Sequence, residues 1–281
     1  VGGQMKGQII KISSNRHTVK SGEKLYNCIP RGKFRKDKLL PRVGDYVTFD
    51  DKKLVIEEIL PRKNEFARPL VSNIDQAFLV TSLINPDFSI GLLDRFITLM
   101  ELHNTKSIIC LTKLDLASLT LSDKIKLVLG YYNNIGYKIV TNNDLDEIKA
   151  LIKNKTNVFV GQTGAGKSTL LNKLNPSWNI ETGEISLALG RGKHTTRNVS
   201  LYDFLEGKVL DTPGFSALNF NDYTKEDIKK AFIEFKDYPC PFKDCSHTKE
   251  KECSVKKAVL DKKILESRYN SYLKFYEEAK K

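Results

Sequence analysis

The sequence lacks a long apolar segment, since no run in its 281 residues approaches the ~20 apolar residues that a membrane-spanning helix needs. Its N-terminal region also lacks the apolar core of a signal peptide. Cysteines are few: there are five, an odd number, and three of them are grouped late in the chain. A disulfide framework is therefore not expected. These absences predict a cytoplasmic globular protein with no membrane segment.

Net charge is almost absent from the central part of the chain. The whole sequence carries 46 Lys+Arg and 34 Asp+Glu, a net charge of +12. Residues 68–222 have 16 basic against 15 acidic side chains (+1), whereas residues 1–67 have 15 against 8 (+7) and residues 223–281 have 15 against 11 (+4). Basic flanks indicate a polyanionic partner, above all RNA. A basic surface that serves solubility is the alternative.

The central part contains a phosphate-binding motif. Residues 161–168 read G-Q-T-G-A-G-K-S and match G-x-x-x-x-G-K-[ST], between an apolar run and a helical pattern. Glycines allow the backbone N–H groups to surround a polyphosphate. Lys167 is expected to contact the β- and γ-phosphates, and the Ser168 hydroxyl to bind Mg²⁺. The predicted phosphate-binding residues are Gly161, Gln162, Thr163, Gly164, Ala165, Gly166, Lys167, Ser168 and Thr169.

A guanine-recognition motif precedes the phosphate loop. Thr112, Lys113, Leu114 and Asp115 follow an apolar run and match [NT]-K-x-D. The Asp115 carboxylate can accept hydrogen bonds from N1–H and the 2-amino group of guanine, whereas adenine has no matching donors on that edge. The tetrapeptide is weak evidence alone, but with the phosphate loop it predicts a GTP site.

Two further elements follow the phosphate loop. Residues 182–198 are rich in glycine and hydroxyl side chains, and either Thr195 or Thr196 could bind Mg²⁺ and sense the γ-phosphate. Asp211 and Gly214 form D-x-x-G, in which Asp211 would bind Mg²⁺ through water and the Gly214 N–H would contact the γ-phosphate. In ordinary GTPases the guanine motif comes last, so its position here predicts a circular permutation, which parallel sheets tolerate.

The predicted fold is multidomain α/β. Residues 5–67 show short alternating strands, typical of an OB-type β-barrel. Residues 68–222 alternate strands with helices and predict the three-layer GTPase domain. Within the barrel, residues 31–38 form a basic connection with an aromatic residue, which predicts RNA contacts with Phe34 stacking on a base, although a solvated loop would look the same. The predicted RNA-binding residues are Arg31, Lys33, Phe34, Arg35 and Lys36.

The third predicted domain, residues 223–281, is an α-helical zinc-binding module. Cys240, Cys245, His247 and Cys253 offer three thiolates and one imidazole within 14 residues, which suits one tetrahedral structural Zn²⁺. A redox pair or reduced core cysteines are the alternative. Aromatic residues at helical spacing near the C-terminus are expected to pack rather than to stack on RNA.

Together, the basic barrel, the permuted motifs and the late Cys/His cluster resemble the RsgA (YjeQ/YloQ) family of ribosome small-subunit-dependent GTPases over the chain from Met5. The resemblance implies GTP hydrolysis to GDP stimulated by the small (30S) ribosomal subunit and a role in its late maturation. It also implies that the barrel and the zinc module contact 16S rRNA. Thr112 stands where many members have Asn, and residues 140–143 give no clear match to the last guanine-binding element of GTPases. We expect a monomer.

Catalysis requires a residue that positions the attacking water. Phe215 follows Gly214 where many GTPases have Gln, and its ring cannot hydrogen-bond, so slow intrinsic hydrolysis is expected. His194, beside Thr195, is the catalytic candidate, as the family resemblance also suggests. A histidine that contacts phosphate or RNA is the alternative. Two other functions remain open: an RNA-binding protein whose nucleotide only stabilises the fold, and a P-loop kinase or ATPase.

Overall fold

A computed structural model describes residues 3–36, 38–115, 123–178, 180, 199–211 and 218–280. The predicted switch and catalytic residues His194, Thr195, Thr196 and Gly214 lie outside these ranges, as does Phe215. Residue contacts divide the chain into two units. Unit one comprises Val1–Ala77, Leu145–Phe159 and Lys167–Ser216, and unit two comprises Phe78–Asp144, Val160–Gly166 and Ala217–Lys281. The division into three domains stays a prediction.

The described residues contain both strands and helices. In chain order, the strands are β1 (Gln4–Ser13), β2 (Arg16–Ser21), β3 (Lys24–Pro30), β4 (Tyr46–Asp50), β5 (Val55–Ile59), β6 (Glu65–Phe66), β7 (Val71–Ser72), β8 (Gln76–Ser82), β9 (Lys106–Thr112), β10 (Lys138–Thr141), β11 (Thr156–Val160), β12 (Ser200–Phe204) and β13 (Gly207–Asp211). The α-helices are α1 (Lys33–Lys36), α2 (Ile90–Leu102), α3 (Asp123–Asn134), α4 (Leu145–Ile152), α5 (Lys167–Leu174), α6 (Lys225–Ala231), α7 (Ser254–Leu260) and α8 (Glu266–Glu278). Two 3₁₀ segments are Pro176–Trp178 and Ile233–Asp237. No helix among these residues is long and apolar enough to cross a membrane.

Strands β1–β5 of unit one form a closed barrel. β1 pairs antiparallel with β2 and with β4, β2 with β3, and β4 with β5, while a parallel pairing of β3 with β5 closes the ring. The apolar side of each alternating strand fills the interior, where Ile9, Val19, Val47 and Phe49 are fully buried. The predicted OB-type barrel is confirmed.

The basic connection between β3 and β4 differs from its prediction. It contains the short helix α1, which the sequence reasoning missed, and Phe34 of this helix packs in the barrel core with 4% of its surface exposed. A ring held there cannot stack on a base without leaving the core, so the predicted role of Phe34 in RNA binding is wrong. The neighbouring Lys33 is exposed, with its ammonium 5.5 Å from the centre of the Phe34 ring.

Further strands of unit one extend from the barrel. β12 pairs antiparallel with β1 and with β13, and β13 pairs in parallel with β11. Asp211 is the last residue of β13, the strand that pairs with β11. Its role toward Mg²⁺ stays a prediction.

Unit two begins with the predicted strand and helix alternation. β9 lies between β8 and β10, pairs with β10 in parallel, and is buried from Ser107 to Thr112. Ser89 caps α2 by accepting a hydrogen bond from the Leu92 N–H. The predicted strands and helices of this region are confirmed with small shifts at their ends.

The C-terminal part of unit two is helical, as predicted. Thr224 and Asp227 form the capping box of α6, which ends at Ala231 and is followed by the 3₁₀ turn Ile233–Asp237. The core of this part is aromatic. Its most buried members include Phe220, Phe232, Phe235, Tyr272 and Phe275.

A buried ionic cluster joins α8 to α2 within unit two. The Arg268 guanidinium is fully buried and donates hydrogen bonds of 2.8 Å to Asp94 of α2 and of 2.8 Å to Glu234. Tyr132 also donates to Asp94. Because each of these charged groups is out of contact with water, their mutual arrangement is strongly constrained.

Candidate functional site

The phosphate loop has the geometry that its sequence predicts. β11 leads into it and α5 begins directly after it, at Lys167. A Cβ at Gly161 would lie 2.2 Å from the carbonyl oxygen of Val80, so this position has no space for a side chain. Gly166 has φ +95°, which other residues rarely adopt. These two positions therefore require the glycines that the phosphate-loop pattern supplies, and polyphosphate binding by this loop stays a prediction.

The Lys167 side chain is buried, and its pKa is shifted by this burial. Its side chain is 7% exposed, and burial lowers the pKa of its ammonium to about 8. A phosphate beside this group would favour its charged form and raise the pKa again. Ser168, the predicted Mg²⁺ ligand, follows it on the first turn of α5 and is partly exposed. Asp211, the other predicted Mg²⁺ residue in the described part, is buried.

The guanine motif lies against the phosphate loop inside unit two. The Thr112 hydroxyl, at the end of β9, donates a hydrogen bond of 2.5 Å to the carbonyl oxygen of Ala165. A Cβ at Gly166 would lie 3.7 Å from the Thr112 side chain. The guanine motif and the phosphate loop are about 50 positions apart in the sequence but are in contact in the structure, as the permuted order of motifs predicted. Their roles toward guanine and phosphate stay predictions.

The remaining residues of the guanine motif are more accessible, since Lys113 and Leu114 are partly exposed and Asp115 is exposed. Lys113 adopts φ 59°, and its ammonium donates to the carbonyl oxygen of Asn85. The next residue, Pro86, is 3.7 Å from where a Cβ of Gly164 would stand. Lys113 therefore holds a loop that borders the phosphate loop. Asp115, the predicted base-recognition residue, is exposed in the turn that follows.

The turn at residues 141–144, to which the sequence assigned no role, also lies beside the end of β9. The Asn142 N–H donates a hydrogen bond of 2.8 Å to the carbonyl oxygen of Leu111, just before Thr112. Asp144 fixes the turn because its carboxylate accepts from both the N–H and the hydroxyl of Thr141, at 2.7 and 2.8 Å. The pattern T-x-x-D before the apolar face of α4 is the signal that could have revealed it.

The four predicted metal ligands also come together. The Nδ1 atom of His247 lies 3.4 Å from Cys240 Sγ and 3.4 Å from Cys253 Sγ, and the two sulfurs are 3.8 Å apart. With Cys245, all four ligand atoms lie within 4.8 Å of one another. None of these cysteines is in a disulfide. This set of donor atoms could hold a metal ion.

The C-terminal aromatic residues support residues 240–253, the metal-binding loop that carries the four ligand candidates. The Tyr269 hydroxyl donates to the carbonyl oxygen of His247 and the Tyr272 hydroxyl to that of Ser246, each at 2.6 Å. Cys253 also caps α7, since its sulfur accepts from the Lys256 N–H at 3.4 Å. The expectation that these tyrosines pack is confirmed.

The predicted RNA-binding residues of the barrel are only partly described. Arg31 is half exposed and forms an ion pair of 2.7 Å with Glu57, so part of its charge is already balanced. Lys33 is exposed. The side chains of Arg35 and Lys36 lie outside the described residues.

Comparison with known proteins identifies the family. Residues 59–221 match the family model described as RsgA GTPase, and residues 6–54 match that of the RsgA N-terminal domain. The chain belongs to the RsgA GTPase family. It is therefore a GTPase, and the resemblance noted in the sequence is confirmed.

Individual relatives and solved structures agree with this assignment. The chain is 45% identical to small ribosomal subunit biogenesis GTPase RsgA 2 of Oceanobacillus iheyensis, over 97% of both chains. It is 44% identical to small ribosomal subunit biogenesis GTPase RsgA of Latilactobacillus sakei, over 98% of this chain and 96% of the relative. YjeQ from Thermotoga maritima superposes with a TM-score of 0.81 at 35% identity, covering 98% of each chain. YloQ, described as a circularly permuted GTPase, gives 0.80 at 37% identity, covering 98% of this chain and 95% of its own. The RsgA relationship thus spans nearly the entire chain, and the permuted order of motifs is a property of the fold.

Proposed function

We propose that this GTPase acts on the small ribosomal subunit during its late maturation, and that the subunit stimulates its hydrolysis of GTP. The observation that carries the proposal is the hydrogen bond between Thr112 and Ala165, which joins the guanine motif to the phosphate loop. The names of the relatives, small ribosomal subunit biogenesis GTPases, supply the expected partner. The cytoplasm is where such a subunit is found.

Guanine selectivity is assigned to Asp115, with residues 141–143 as the second wall of the base site. The exposed carboxylate of Asp115, in the turn that follows β9, can accept two hydrogen bonds from guanine, and the turn around Asn142 borders the end of β9. Asp115→Asn replaces an acceptor by a donor and should shift preference from GTP toward xanthosine triphosphate, whose 2-oxo group accepts. Unchanged GTP preference in this variant would favour the kinase or ATPase alternative.

Hydrolysis requires Mg²⁺, which Ser168 and Asp211 would hold together with Thr195 or Thr196. Mg²⁺ neutralises charge that develops on the phosphates. His194 is the proposed residue that positions the attacking water, and the Gly214 N–H the proposed γ-phosphate contact. His194→Ala should remove subunit-stimulated turnover and leave GTP affinity unchanged. A full stimulated rate in this variant would discard the assignment of His194.

The metal of the C-terminal part is proposed to be one structural Zn²⁺. Three thiolates and one imidazole, three of them buried, leave no open coordination position for a substrate, as structural zinc sites require. Metal analysis should give one Zn²⁺ per chain and much less in Cys253→Ser. A redox pair would instead bind no stoichiometric metal.

The RNA partner is proposed to be 16S rRNA, held by basic side chains of the barrel and the C-terminal part. In the barrel these are Arg31, Lys33, Arg35 and Lys36. The charge of +7 on residues 1–67, from 15 basic and 8 acidic side chains, supports this. Affinity for rRNA should fall steeply between 50 and 200 mM salt, and a flat profile would contradict an electrostatic contact.

The experiment that tests the function is steady-state phosphate release from GTP by the purified chain, with and without purified small subunits. ATP serves as the substrate control. We expect slow release from GTP alone, a large increase with small subunits and almost none from ATP. A rate that small subunits leave unchanged would favour a protein in which nucleotide only stabilises the fold.

A further inference from the structure

A cleft lies beside the four metal-ligand candidates, and the proposed GTPase activity gives it no role. It has a volume of about 420 Å³ and lies wholly within unit two, between the 3₁₀ turn Ile233–Asp237 and the metal-binding loop. Volumes of this size accommodate small organic groups such as a nucleotide. Its lining includes Lys229, Lys230, Lys236, Phe242 and Lys243.

Apart from the metal-ligand candidates, the charged side chains that line this cleft are all basic. Four of its lining residues are lysines, and none is an aspartate or a glutamate. Lys229 and Lys230 share one carboxylate, that of Glu226, at 2.7 and 3.8 Å. Lys236 and Lys243 are exposed and form no ion pair with any described residue. Three thiolates with a divalent ion carry a formal charge of about −1, which one lysine balances. The surplus positive charge therefore suits an anion from outside the chain.

An exposed aromatic ring accompanies these lysines. Phe242 is 57% exposed, whereas every other phenylalanine within the described ranges is buried or partly buried. It lies on the short loop between Cys240 and Cys245, and its carbonyl oxygen accepts from the Cys245 N–H at 3.2 Å. Because both ends of the loop are metal-ligand candidates, the ring is presented on a fixed support rather than on a long free loop.

We propose that this cleft binds an unpaired RNA nucleotide, with its base stacked on Phe242 and its phosphates beside Lys236 and Lys243. Stacking on an aromatic ring is available to every base, and ammonium groups follow the backbone, which is how single-stranded RNA is commonly held. A paired base is inaccessible to such a ring. The inference rests on the proposed function for the source of the RNA, the small ribosomal subunit, but its chemistry can be tested without it.

A tryptophan at position 242 would report on stacking directly. The chain has one tryptophan, Trp178, which is buried in unit one and supplies a constant background. The probe is a single-stranded RNA of ten uridines, titrated into full-length Phe242→Trp at low salt. The matched control is Leu260→Trp, because Leu260 is 82% exposed on α7 of unit two and does not line the cleft.

We expect the RNA to quench the fluorescence of Phe242→Trp and to leave that of Leu260→Trp unchanged. Adding Lys236→Ala and Lys243→Ala should raise the RNA concentration at half-saturation about tenfold, whereas Lys263→Ala, an exposed lysine outside the cleft, should not. A ten-base-pair RNA duplex should quench weakly. Absence of quenching, equal quenching by the duplex, or quenching by a ten-residue polyglutamate peptide but not by RNA would overturn the proposal.

The two proposals fail in different ways. If small subunits do not stimulate GTP turnover by the unmodified chain, the proposed function fails, whatever the fluorescence shows. If turnover is stimulated but Phe242→Trp is not quenched by RNA, only the cleft proposal fails. Basal GTP turnover of the variants, which is expected to equal that of the unmodified chain, confirms that they are folded.

Discussion

The hydrogen bond from Thr112 to Ala165 offers the sharpest test of how the GTP site is built. Thr112→Val keeps the shape of the side chain, and hence its contact with Gly166, but removes the donor. Thr112 is 2% exposed and Ala165 is 1% exposed, so water cannot easily replace the lost donor. A buried acceptor left without its partner costs about 1–3 kcal/mol.

The expected loss of nucleotide affinity depends on how strongly this hydrogen bond stabilises the phosphate-binding conformation of the loop. The cost weakens the phosphate-binding conformation of the loop, and about 1.4 kcal/mol corresponds to a tenfold change in an equilibrium constant. We therefore expect roughly tenfold weaker binding of both GTP and GDP, because the contact lies on the loop backbone and not at the γ-phosphate. Thr112→Ser, which keeps the hydroxyl, should bind almost as the unmodified chain does. Isothermal titration calorimetry measures both nucleotides.

A matched variant separates binding from general stability. Thr105 is also 2% exposed in unit two, and its hydroxyl donates to the carbonyl oxygen of His103 at 3.3 Å, away from the phosphate loop. Thr105→Val should lower stability without changing nucleotide affinity. If Thr112→Val binds GTP within twofold of the unmodified chain, or if Thr105→Val weakens binding equally, the contact does not organise the site.

Two further predictions concern buried charges. Burial lowers the pKa of Lys167 to about 8 in the nucleotide-free chain, and a bound phosphate raises this pKa again. Above pH ~8, GTP binding therefore takes up a proton. The affinity for GTP should be highest below pH ~8 and about tenfold lower at pH ~9. Calorimetry across this range checks it, and a flat profile would contradict the burial of Lys167. Arg268→Met leaves Asp94 and Glu234 buried without their cation and should lower the free energy of unfolding by about 3–5 kcal/mol, measured by urea denaturation. Adding Asp94→Asn and Glu234→Gln should recover much of the loss, and no recovery would place the effect in packing instead.

The parts of this protein that its sequence predicts are those whose chemistry is local. A phosphate loop needs its glycines, lysine and hydroxyl in one short segment, and the four metal ligands fall within 14 residues. Alternating strands likewise show their buried side directly. The permuted order was readable because each motif is recognisable on its own.

The parts that escaped prediction depend on distant partners. Arg268 sits in a lysine-rich stretch and resembles a surface residue, but its partners Glu234 and Asp94 are 34 and 174 positions away. Phe34 is similar: a basic segment with one aromatic reads as an RNA-binding loop until a four-residue helix turns its ring into the barrel. Local composition cannot reveal which side of such a segment faces the core.

In this permuted order, the strand that ends at the predicted Mg²⁺ residue Asp211 is followed in sequence by the C-terminal helical part. β13 ends at Asp211, and only six residues separate this predicted Mg²⁺ residue from Leu218. Leu218 is held, because its carbonyl oxygen accepts a hydrogen bond of 2.6 Å from Arg95 of α2, and Arg95 also forms a bidentate ion pair with Glu278 of α8 at 2.6 Å. The chain after Asp211 therefore arrives, within six residues, at a residue that α2 and α8 hold in place. In an unpermuted GTPase this segment would lead back into the nucleotide-binding sheet; here it leads into the helices that carry the metal-binding cluster.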